Sequence, residues 1–82
     1  MSLRMLATAA ALLVGLAIPT AVQAAYTTGS VNLRAGPGTK YQVITTAPRG
    51  SRVQVHECLP YWCNVNYGYH RGWMSSSYIA GG

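Results

Sequence analysis

The chain opens on one long apolar stretch and then changes period. From Leu6 to Ile18 nearly every residue is Ala, Leu, Val or Ile. Beyond residue 25, apolar and polar positions alternate in short runs, the period of a half-buried strand. Val31-Asn32-Leu33-Arg34 alternates, and Ser51 to Cys58 alternates strongly, with Val53 and Val55 on one face. Tyr41 to Ala47 is rich in β-branched residues, which suit a pleated surface. Tyr26-Thr27-Thr28, Trp62 to Tyr67 and Trp73-Met74-Ser75 read as further strands. The intervening Ala35 to Thr39, Pro48-Arg49-Gly50, Leu59-Pro60-Tyr61 and Gly68 to Gly72 read as turns. Ser76-Ser77-Tyr78 suits a single 3₁₀ turn, and Ile79-Ala80 closes the chain. Five or six short strands at roughly ten-residue spacing predict an all-β domain, a small barrel or sandwich.

Parity predicts one irregularity. Val53 and Val55 share a face with Glu57, so an unbroken strand would turn that carboxylate toward the core. Burying a lone carboxylate is costly. A bulge or strand end is therefore expected near His56-Glu57.

The first stretch has the layout of a secretory signal peptide. Arg4 gives a positive start, Leu6 to Ile18 the apolar run, and Pro19-Thr20 the break. Ala21-Val22-Gln23-Ala24 then supplies small residues at the cleavage site. The apolar run is short for a bilayer span of about 20 residues, which argues against a retained anchor. The expected division is a signal peptide over residues 1–24 and one domain over residues 25–82, exported to the periplasm or beyond. No transmembrane anchor is expected after cleavage.

Charge narrows the chemistry. Six Lys/Arg face one acidic residue, Glu57, for a net charge of +5. A single carboxylate excludes a paired-carboxylate glycosidase and, with no Asp, a Ser-His-Asp triad within this chain. An oxygen-ligand calcium site is excluded for the same reason. His56 and His70 have no nucleophile-and-orienter set near them in sequence, and Ser75, Ser76 and Ser77 read as turn formers. Gly36-Pro37-Gly38 lacks the spacing, the Lys-Ser/Thr and the helix of a phosphate loop. No catalytic residue and no cofactor is expected.

Cys58 and Cys63 are the two cysteines of the chain. Export favours a disulfide, and a small domain needs one, because it buries only about 60% of its unfolded surface. If Pro60-Tyr61 tips a hairpin, the two cysteines face each other as a non-hydrogen-bonded pair, close enough to bridge. A zinc site from Cys58, Cys63, His56 and His70 would not follow a usual finger spacing. A redox pair would need the two-residue spacing that is absent here.

The aromatics are numerous for so small a core: Tyr41, Tyr61, Trp62, Tyr67, Tyr69, Trp73 and Tyr78. Two or three are expected to be exposed or to line a groove, where Tyr and Trp combine an apolar ring with a polar handle. Trp73 is expected in the core.

Val31-Asn32-Leu33-Arg34-Ala35-Gly36-Pro37-Gly38-Thr39 resembles the opening signature of bacterial Src-homology-3-like domains. There an Asn-Val/Leu-Arg-x-Gly-Pro run precedes a loop and an aromatic, here Tyr41. Later landmarks follow in order: Gly50 before Val53 and Val55, then Trp62 and Val65, then Gly72-Trp73-Met74 and Ser77-Tyr78-Ile79. The resemblance covers residues 31–79, and the cysteine pair resembles an exported, stand-alone subgroup. It implies a five- to six-stranded, partly open barrel without catalysis. Members often bind bacterial cell-wall peptides or target attached hydrolases to peptidoglycan; the 82 residues here hold no hydrolase domain.

Two functions are expected from this. The first is a binding module for peptidoglycan or a cell-wall peptide. Its groove would use Tyr41, Trp62, Tyr69 and Tyr78 as flat contacts and Arg34 and Arg71 for carboxylates. Arg34 is equally suited to brace the Gly-Pro-Gly loop. The second is a small secreted domain that binds another exported protein, as inhibitor or subunit. Basic charge and aromatics would also suit an anionic polymer, but export argues against nucleic acid as a partner.

Overall fold

A computed structural model describes residues 21–81. Residues 1–20, the greater part of the expected leader, lie outside the described residues, as does Gly82. Seven strands follow one another: β1 (Gln23–Thr27), β2 (Val31–Arg34), β3 (Val43–Ala47), β4 (Arg52–Cys58), β5 (Trp62–Tyr67), β6 (His70–Ser75) and β7 (Ile79–Ala80), with a 3₁₀ turn at Ser76–Tyr78. They form one antiparallel sheet in the order β3-β2-β6-β5-β4-β1-β7. The strand count is one above the sequence expectation, because Ile79–Ala80 pairs with Tyr26 and Thr27 at the sheet's end.

The sheet wraps around its own core. In a flat sheet β3 and β1 would stand about 24 Å apart, five strand spacings of about 4.8 Å. Instead Ala25 of β1 and Ala47 of β3 belong to one buried cluster with Val31, Leu33, Val53, Cys63, Val65 and Met74. The alternation read from the sequence sets this up: Val31 and Leu33, Val53, Cys63 and Val65, and Met74 all point inward.

Thr27 locks the seam between β1 and the β3–β4 turn. Its Oγ1 donates to the Pro48 carbonyl (2.7 Å) and accepts from the Ser51 amide (2.9 Å). Its own carbonyl accepts from the Gly50 amide at 2.8 Å. Thr27 is buried, so both hydroxyl bonds are made away from water. Thr27→Val keeps the shape and removes them; we expect a loss of about 1–3 kcal/mol in chemical denaturation, with Thr27→Ser close to wild type.

The irregularity expected from Glu57 is present. The β4–β5 register shifts between Val55 and Glu57, and Glu57 is exposed. At the hairpin end Cys58 pairs with Cys63, their Cα atoms 4.0 Å apart, and the two are joined in a disulfide. The Leu59 amide donates to the Trp62 carbonyl at 2.7 Å and closes the turn over Pro60-Tyr61.

Three expectations need correction. Gly68 to Gly72 is not all turn: only Gly68-Tyr69 turn, and β6 runs through Gly72. Gly72 is used for close approach. A Cβ there would lie 2.5 Å from the Arg34 carbonyl oxygen and 3.0 Å from Leu33 Cγ. Second, Trp73 is not core. Met74 takes the inward position of β6, and Trp73 stands half-buried on the opposite face. More aromatics are exposed than expected: Tyr26, Tyr41, Tyr61, Tyr69 and Tyr78 all are. The buried cluster contains no aromatic ring, and Tyr67 packs against its edge.

β1 also contains the Ala24–Ala25 bond, where cleavage of the leader is expected. Ala25 pairs with Val53, and Tyr26 with Arg52, on the carboxyl side of that bond.

Candidate functional site

A groove of about 250 Å³ opens on the outer side of β2, against the start of β5 and the 3₁₀ turn. It is lined by Ser30, Val31, Asn32, Arg34, Thr39, Trp62, Ser75 and Tyr78. Three of the six sequence-predicted contact residues therefore meet here: Arg34, Trp62 and Tyr78.

Each is positioned by local structure. Trp62 begins β5 immediately after the disulfide-closed turn and pairs with Ser75 of β6. The turn is held from a second side, since the Ser76 amide donates to the Tyr61 carbonyl at 3.0 Å. Tyr78 ends the 3₁₀ turn, and its carbonyl accepts from the Thr28 amide at 2.9 Å. Its ring passes beside Gly29.

Arg34 ends β2 and does what the loop requires of it. Its Nη1 donates to the carbonyls of Thr39 (2.9 Å) and Tyr41 (3.0 Å). The guanidinium thus braces the loop that forms one wall, while the side chain faces the groove. Asn32 is tied sideways, its Oδ1 accepting from Thr46 Oγ1 at 2.9 Å.

The other three candidates lie elsewhere. Tyr41 lays its ring over the Gly-Pro-Gly loop; a Cβ on Gly36 would come within 2.4 Å of it. That contact makes Gly36 necessary and gives Tyr41 a structural role in shaping the loop. Tyr69 stands fully exposed on the β5–β6 turn. That turn is at the far end of β5 from Trp62, about 17 Å along the strand. Arg71 is exposed on the outer face of β6, with Nε donating to Asn64 Oδ1 at 2.8 Å.

The small polar lining, Ser30, Asn32, Thr39 and Ser75, was not singled out from sequence. Such residues are common in turns and on outward strand positions, so type alone does not mark them. The signal available was parity: Asn32 shares the outward face of β2 with Arg34.

Both sulfurs of Cys58 and Cys63 are spent in the disulfide, so neither is free to bind zinc. Among the described residues no helix is long and apolar enough to cross a membrane.

A coiled antiparallel sheet, a bracing arginine before a glycine-rich loop and a groove against a terminal 3₁₀ turn define the class. Residues 29–80 match the bacterial SH3 domain, and the chain belongs to that family. It is also 38% identical over 52 residues to a Bacillus subtilis (strain 168) protein named as the N-acetylmuramoyl-L-alanine amidase YrvJ. That match takes in 63% of this chain but 10% of the relative. No solved structure matches the chain.

Proposed function

We propose that this domain is an exported, non-catalytic binding module that holds a cell-wall peptide of peptidoglycan in the groove between β2 and the 3₁₀ turn. One observation carries the reading: Trp62 and Tyr78 place two rings in the same cleft as Arg34, from three separate elements. Rings supply flat contact area at low conformational cost, and a guanidinium matches a peptide carboxylate. The cleft is smaller than the roughly 300–1,000 Å³ of sites that enclose a cofactor or drug-sized ligand. Its size suits a short stretch of extended chain that enters and leaves.

The family and the amidase relative support the wall as the place of action, since the match covers only the binding-domain part of that protein's length. A disulfide in a small domain supports export. The competing reading is a secreted protein-interaction domain using the same surface.

The test is co-sedimentation of the oxidised, exported chain with insoluble purified peptidoglycan at low and high salt. We expect retention at both salts. Trp62→Ala should weaken it about tenfold or more, a typical cost for losing an aromatic anchor, while the thermal melt stays near wild type. Retention at low salt alone would mean that charge holds the protein. No retention at either salt would move the assignment to a protein partner.

A further inference from the structure

The outer face of β4, β5 and β6 carries a second set of side chains that the groove does not use. Register places them in rows. Gln54 stands opposite Asn66, and Asn66 opposite Arg71. One row along, Asn64 stands opposite Trp73, and Trp73 opposite Arg34. At the near end Arg52 faces Tyr26 across β4 and β1. A shallow depression of about 220 Å³ lies among Arg52, Gln54, Asn66 and Gly68.

Two features set this face apart from an ordinary solvated sheet. The first is its hydrogen bonding. Asn64 accepts from Arg71 Nε (2.8 Å) and donates to the Gly72 carbonyl (3.3 Å). Asn66 pairs with His56 Nε2 and donates to the His70 carbonyl at 3.5 Å. Asn64 thus holds Arg71 in place through Nε alone. Among the described residues, the terminal nitrogens of Arg71 and the whole guanidinium of Arg52 donate to no protein acceptor. The second feature is charge. The chain has one acidic residue against six basic ones, so its arginines cannot all find carboxylates within the protein.

We propose that this face is a second binding surface, for a glycan chain that bears carboxylates. Arg52 and Arg71 are rooted in the sheet roughly 10–12 Å apart, two strand spacings across and two residues along. Each guanidinium fork takes a carboxylate in bidentate fashion. Between them Gln54 offers its amide to hydroxyls, Asn66 adds the one N–H its bond to the His70 carbonyl leaves over, and the half-buried Trp73 stands one row along. A polyanion with no hydroxyls would use the forks and waste the amides. The surface is separate from the groove, so it stands or falls independently of the peptide reading.

The test is titration of the isotope-labelled, oxidised chain with an oligogalacturonate, followed by NMR. The expected result is movement of the Trp73 indole and the Asn64 and Asn66 side-chain amides. Trp62→Ala should leave that affinity unchanged. Arg52→Gln and Arg71→Gln should each weaken it about tenfold, the cost of one charge-assisted contact. Both arginines are exposed, and melting curves of the two variants check that they fold. A neutral oligosaccharide of equal length should bind at least tenfold more weakly. Three results would overturn the proposal: shifts confined to Trp62 and Tyr78, equal affinity for the neutral sugar, or equal affinity for inorganic polyphosphate or a single-stranded oligonucleotide.

Discussion

Gly72→Ala is expected to lower the melting temperature by roughly 10–20 °C and to abolish the groove with it. The added Cβ would sit 2.5 Å from a backbone oxygen, that of Arg34, and within 3.1 Å of Ile44 Cδ1. A side chain can rotate away from such a clash, but a carbonyl in a ladder cannot. Overpacking of this kind costs about 1–3 kcal/mol and sometimes more, and each kcal/mol moves the melt of a domain this size by about 4–8 °C. The location makes it worse. The Arg34–Trp73 pair is the ladder contact between β2 and β6. If that seam opens, the β2–β3 hairpin leaves the rest of the sheet, and Asn32 and Arg34 leave Trp62 and Tyr78. Differential scanning calorimetry of the variant checks this; a melt within 2 °C of wild type would mean that β2 and β6 can separate without cost.

Reduction of the disulfide is the second large effect. Thiol titration of the unreduced exported protein should find no free thiol, and reductant should expose both. The closed loop is short, at a sequence separation of 5. Loop entropy then gives about 2 kcal/mol, a large share of the stability of a small domain. We expect a fall in melting temperature of about 8–16 °C. Peptidoglycan retention should also fall at temperatures where the reduced chain is still folded. Trp62 follows Tyr61 directly, and the turn that aims it is closed by the cysteine bridge at its base. Unchanged retention by reduced, folded protein would show that the Ser76–Tyr61 hydrogen bond alone holds the turn.

Much of the architecture was legible because alternation has a period of two and the core obeys it. Val31 and Leu33, and Val53, were placed inward by pattern alone. The Glu57 bulge was legible for a sharper reason: a continuous strand would have buried a charge. The pairing of Cys58 with Cys63 followed from a two-residue turn. Trp73 lies outward, against expectation, because parity places it there. Its neighbours Arg71 and Ser75 are polar and share its face, whereas Gly72 and Met74 share the other, and Met74 fills the core. Gly72 was misread as turn because a strand glycine and a turn glycine look alike until the approaching backbone is known. The groove was half legible. Arg34, Trp62 and Tyr78 are conspicuous in type, but that they meet depends on which end of β5 packs against β2 and the 3₁₀ turn. Tyr69 and Arg71 fell on the other side of that division.

The all-aliphatic core has a practical consequence for spectroscopy. Both tryptophans, Trp62 and Trp73, lie half-buried on the outward face, one in the groove and one on the sheet beside it. Neither reports directly on the interior. Intrinsic emission from this protein is therefore a sensor of what settles on its surface, and two single-tryptophan variants would give each surface its own optical channel without any added dye.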